Sequence, residues 1–171
     1  MTSLFRSTPC GDTIFCDDIR TEFTGKSILI GVYAGYMIVA ATFPTKVNVA
    51  LRVIYQEHHG ESTDPLELVV YAPGNKDDEP FFRAPLSADF RKTPRPNFET
   101  AFDEEDTSEE ADHVLTTMIN LQLNEIPVSK PGRIRVRMKR GDTMVRLGSL
   151  GVLPSSMASQ IFGGQPAQEQ K

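Results

Sequence analysis

From Val47 to Gln56 the chain alternates residue by residue. Val47, Val49, Leu51, Val53 and Tyr55 interleave with Asn48, Ala50, Arg52, Ile54 and Gln56. Successive side chains point to opposite sides only in a strand, so this period of two predicts a strand with one buried face. The period returns twice. Leu115, Thr117, Ile119, Leu121 and Leu123 alternate with polar residues, and Ile134, Val136 and Met138 alternate with Arg133, Arg135, Arg137 and Lys139. A chain that presents several such half-apolar strands must pack one sheet face against another layer.

Cys16 to Tyr55 extends the pattern into a series of strands with short turns. Its apolar runs are cut at Thr24-Gly25-Lys26, Ala34-Gly35 and Phe43-Pro44-Thr45, where Gly, Pro and polar residues favour reversal. Strands are expected over 13–23, 27–33, 36–42, 47–55, 66–71, 81–86, 115–123, 133–139 and 143–152. Asp17-Asp18 marks a bend in the first of these, and Gly31 a bulge or close backbone neighbour in the second. Pro85 confines its strand to a sheet edge, because proline has no N–H for a ladder. Twelve Pro and twelve Gly suit many turns, and no long amphipathic helix is visible. The expected fold is all-β: a two-layer antiparallel β-sandwich of about eight or nine strands, with at most one short helix near Thr107–Val114. A closed barrel is the competing architecture.

Residues 12–153 are expected to form the sandwich, with 1–11 as a loose arm, 154–171 as a tail and 89–113 as a long charged loop. The net charge of −5 is uneven. Of 23 acids, seven lie between Asp103 and Asp112 with no base among them, so 16 face 18 bases elsewhere. The acidity therefore belongs mainly to one segment and not to the whole surface. Met1–Gly11 has no apolar stretch of the kind a signal peptide needs, and the longest apolar run, Tyr36–Ala41, has strand length. Two cysteines make no disulfide scaffold. A cytoplasmic or virion-associated protein that does not engage a membrane is the expectation, the virion being implied by the resemblance that follows.

Cys16, Asp17, Ile19, Arg20, Glu22, Gly25, Lys26, Ile30, Gly31, Val32 and Tyr33 follow a pattern of the form Cys-Asp-x-Ile-Arg-x-Glu, then Gly-Lys, then Ile-Gly-Val-Tyr. That opening resembles an uncharacterised family of bacterial and prophage β-sandwich proteins. The chain departs from the pattern at Lys26-Ser27, where one more residue is expected before the serine. The Pro131–Val136 stretch also looks like the penultimate strand of many sandwich domains. The resemblance implies a sandwich fold and a bacterial or phage setting, and it brings no activity with it.

The candidate chemistry lies in charges. Arg133, Arg135 and Arg137 share one face of one strand at about 7 Å intervals. They form either a solvated outer face or a binding face for phosphates or an acidic partner. No aromatic residue interleaves them in the strand, which argues against nucleic acid. Asp103, Glu104, Glu105 and Asp106 are their natural acidic counterpart, within the chain or on another subunit. Neither these acids nor Asp77-Asp78-Glu79 has the glycine turn and ligand spacing of a calcium loop. His58 and His59 are expected on a loop tip, too far in sequence from the cysteines to suggest zinc. Cys16 is expected as a buried structural thiol. Gly25-Lys26-Ser27 and Arg140-Gly141-Asp142 look like a phosphate loop and an adhesion tripeptide, but each sits where a hairpin turn belongs.

No acid, base and nucleophile converge in this pattern. The expectation is therefore a non-enzymatic protein without cofactor or metal, acting through a protein partner or self-association in assembly. The alternative is an anionic-ligand module that holds a phosphate, sugar or headgroup on the Arg133-Arg135-Arg137 face. An enzyme would require a deep pocket joining His113, Cys16 or Asp17-Asp18.

Overall fold

The computed structural model describes residues 9–58, 64–86 and 114–157. These residues hold ten strands: β1 (Cys10–Cys16), β2 (Asp18–Thr21), β3 (Ser27–Ile30), β4 (Tyr36–Val39), β5 (Thr45–His58), β6 (Leu66–Tyr71), β7 (Phe82–Leu86), β8 (Val114–Val128), β9 (Gly132–Arg140) and β10 (Thr143–Pro154). A single 3-10 turn, Ser155–Met157, follows the last strand. The expected arm, the 89–113 loop with its short helix, and the tail lie largely outside the described residues. At their margins Cys10 and Gly11 belong to β1, Val114 to β8 and Pro154 to β10.

Two layers carry the fold. One is a three-stranded sheet in the order β1-β5-β8, and the other a five-stranded sheet in the order β4-β10-β9-β6-β7. The all-β sandwich is as expected, with two differences. There are ten strands, because the backbone leaves the ladder at Asp17 and divides the expected first strand into β1 and β2. The sheets are also not wholly antiparallel: β4 runs parallel to β10, Gly151 opposite Tyr36 and Leu153 opposite Ile38. β7, with Pro85, is an edge strand as expected.

The period-two residues meet between the layers. Val49, Leu51, Val53 and Tyr55 of β5 face Leu68 and Val70 of β6, Ile134, Val136 and Met138 of β9, and Leu150 and Val152 of β10, all of them buried. Removing such a side chain from water contributes roughly 1.5–3 kcal/mol. The alternation survives on β8, where Ile119 and Leu121 are half-buried, opposite Val53 and Leu51.

β2 and β3 form a separate hairpin, with Asp18 opposite Ile30 and Thr21 opposite Ser27. Its turn is closed by the Gly25 N–H donating to the Glu22 carbonyl at 2.9 Å, with Gly25 at φ +80°. The Gly-Lys-Ser echo is thus a hairpin turn. Gly31 sits at φ +66°, and a Cβ there would lie 1.9 Å from an Asp17 carboxylate oxygen. The close neighbour expected at this glycine is a side chain, and that Asp17 carboxylate also accepts a hydrogen bond from the Tyr33 hydroxyl.

At the opposite corner β1 packs against the first half of β10 although no ladder joins them. The contact is close. A Cβ on Gly11 would lie 2.7 Å from Leu147 Cδ2, and one on Gly148 would lie 3.3 Å from Thr13 Cβ. The β9–β10 register shifts between Arg146 and Gly148, so Leu147 is an extra residue that turns inward and is buried. A bulge of this kind bends its strand and re-aims the neighbouring side chains.

Candidate functional site: an arginine-lined cleft

The registers fix what shares the outer face of the five-stranded sheet. Opposed residues on neighbouring strands point to the same side, so Tyr36, Gly151 and Arg133 form one row. Ser149, Arg135 and Tyr71 form the next, and Arg146, Arg137, Val69 and Arg83 the one after. Lys139 and Glu67 follow. The one extra residue, Leu147, keeps Arg146 and Ser149 on one face although they are three positions apart, an arrangement that strict alternation would forbid.

The expected arginine stripe is therefore real, but it is not a simple solvated strand. The Arg135 and Arg137 guanidiniums lie 4.9 and 5.2 Å from the centre of the Tyr71 ring, and Arg133 lies 6.0 Å from that of Tyr36. Contacts of this kind add about 0.5–1 kcal/mol at exposed sites and hold each fork in place. The reading that no aromatic interleaves the stripe holds only within β9. The rings come from β6 and β4, next to it in the sheet, and Tyr71 is itself buried.

The acidic counterpart seen in the structure is Asp77, on the turn between β6 and β7. Its Oδ1 accepts from Arg135 Nη1 at 2.5 Å and from Arg137 Nη2 at 3.2 Å. Arg135 also donates to the Asn75 carbonyl. Arg133 donates to Ser149 Oγ at 3.1 Å. Asp103, Glu104, Glu105 and Asp106 lie outside the described residues.

Beside this stripe, at the β1–β10 corner, is a cleft of about 520 Å³. Arg133, Arg135, Arg137 and Arg146 line it, together with Ser149 and the backbone of Gly148, while Gly11 and Asp12 form the β1 rim. Two carboxylates, Asp12 and Asp77, thus stand against four arginines, an excess of positive charge of the kind that attracts anions. Arg146, Ser149 and Asp12 were missed by the period-two reading of β9. They reach the site through the bulge and through a corner contact between strands remote in sequence.

The remaining candidates lie elsewhere. Cys16 is buried, its Sγ donating to the Ala50 carbonyl at 3.7 Å, and burial, then Asp17 and Asp18, push its thiol pKa up. That disfavours the thiolate a nucleophile needs. Neither Cys16, Asp17 nor Asp18 lines the cleft, and His113 is outside the described residues. His58, expected on a loop tip, is the last residue of β5 and pairs with Val114; His59 is outside the described residues. Arg140 does not project from its turn as an adhesion tripeptide would, but points into the core. Among the described residues no three His, Cys, Asp or Glu side chains cluster as metal ligands, and no helix is long and apolar enough to cross a membrane.

Fold and cleft together define a class: a β-sandwich with a basic, arginine-lined cleft on the outer face of its larger sheet. Within that class the chain belongs to DUF6941, a family of unknown function, whose model matches residues 12–152. No curated protein and no solved structure matches the chain.

Proposed function

We propose that this chain is a non-catalytic binding domain that takes an anionic group in the arginine-lined cleft. The single observation that carries the reading is the convergence of Arg133, Arg135, Arg137 and Arg146 on one cleft. Guanidinium forks held by tyrosine rings and hydrogen bonds are preorganised for oxyanions, which reduces the ordering cost of binding. The test is calorimetric titration of the full chain with inorganic pyrophosphate and with an oligoglutamate peptide. Salt-sensitive binding to at least one is expected, and a variant with Arg133, Arg135 and Arg146 all changed to Gln should weaken it more than tenfold. No binding to either probe, or binding indifferent to the triple change, would reject the reading.

A second reading, assembly through self-association, is favoured by the edge at β4. Among the described residues Tyr36–Val39 pairs β10 on one side only; it carries neither charge nor proline, and exposes Tyr36 and Ile38. The β2–β3 hairpin, which precedes β4 in the chain, also exposes Ile28 and Ile30, with Val32 just beyond it. An apolar edge of this kind accepts another strand. A second copy of the chain is the proposed occupant. Light scattering across a concentration series should show a mass above the monomer that Ile38→Lys lowers, whereas a monomer at every concentration would exclude this route.

A further inference from the structure

We infer that the cleft selects a compact phosphate-type oxyanion, and that Asp77 is its built-in competitor. The inference rests on the anion-binding reading above and narrows it. The cleft, at about 520 Å³, lies within the roughly 300–1,000 Å³ of small-molecule sites. Tyr71 is buried beneath two guanidiniums and offers no free ring for a nucleobase. A small ligand therefore fits better than a nucleic-acid strand.

The Asp77 carboxylate shows what the arginines accept. One of its oxygens engages both Arg135 and Arg137, yet its side chain is 62% exposed. Both residues also line the cleft. A carboxylate from the β6–β7 turn thus already engages two of the four arginines and offsets one of their charges. An incoming monocarboxylate repeats the interaction that Asp77 already makes and gains little. A phosphate dianion brings more charge and three acceptor oxygens, enough to engage Arg146 and Arg133 together with the shared pair. Asp77 therefore sets a charge threshold: singly charged anions are excluded and multiply charged oxyanions are admitted. Asp12, on the opposite rim, places the ligand's most negative part away from β1.

The experiment is titration of wild type and Asp77→Asn with inorganic pyrophosphate, inorganic phosphate and acetate, with circular dichroism confirming that both are folded. Wild type should bind pyrophosphate and not acetate. Asp77→Asn should bind pyrophosphate about two- to fivefold more tightly, as expected when a partly exposed ion pair no longer has to be broken, and should begin to bind acetate. Arg146→Gln should weaken pyrophosphate in both backgrounds. Wild-type binding left unchanged or weakened by Asp77→Asn would overturn the competitor role while leaving anion binding intact. Oligoglutamate binding without pyrophosphate binding would overturn the ligand class alone, and no anion binding by either protein would overturn both.

Discussion

Arg140→Ala should lower the unfolding free energy by about 3–5 kcal/mol, the usual cost of leaving a buried charge without its partner. Arg140 is 6% and Glu57 9% exposed. Arg140 Nε donates to Glu57 Oε2 at 3.1 Å and Nη2 donates to Oε1, while Nη1 donates to the Asp64 carbonyl at 2.6 Å. The Tyr55 hydroxyl donates to the same carboxylate at 3.1 Å. Truncating the arginine leaves that carboxylate inside the sandwich without the fork that compensates its desolvation. Urea unfolding of the single variant and of Glu57→Gln combined with Arg140→Met tests the account. The double variant, with no buried charge, should be more stable than Arg140→Ala. A single-variant loss below about 1 kcal/mol would show that the pair is not buried in solution.

The second large effect is alkaline. Tyr55 is fully buried, and its phenol pKa is pushed up to about 12, first by burial and then by the Glu57 carboxylate, against the opposing pull of Arg140. The unfolded chain releases this proton near pH 10. The stabilisation is therefore complete below pH 10 and disappears as pH rises from about 10 to 12, a loss on the order of 2–3 kcal/mol. Tyr55→Phe should start lower by about 1 kcal/mol, the value of one hydrogen bond, but lose less between pH 10 and 12. Tyr33, also raised by burial and by its bond to Asp17, supplies part of the drop that remains. Parallel unfolding curves for wild type and Tyr55→Phe across that range would contradict the assignment.

The Glu57–Arg140 pair shows how far the sequence can be read. Glu57 shares the parity of Val49, Leu51, Val53 and Tyr55, and Arg140 that of Ile134, Val136 and Met138. Both charges therefore stand at inward positions of their strands, a signal present in the pattern but masked by the resemblance of Arg140-Gly141-Asp142 to an ordinary turn. The turn is there, with Gly141 at φ +54°, but Arg140 belongs to the core side of the strand before it. The arginine stripe is the opposite case. Parity alone places Arg133, Arg135 and Arg137 on the outer face, whereas their partners Tyr71, Tyr36 and Asp77 arrive from other elements.

What the chain dictates by itself is therefore local: which residues turn inward on each strand, where the chain reverses, and that two apolar faces must meet. Side-chain period, glycine and proline depend on a few neighbouring bonds, so no partner is needed to read them. Only the assembled sandwich decides that β4 joins β10 in parallel, that β1 closes a corner without a ladder, and that Arg146 shares a cleft with Asp12 across more than 130 residues. These are long-range pairings, chosen by how whole faces pack and by where a bulge bends β10. No short stretch contains the information to choose among them.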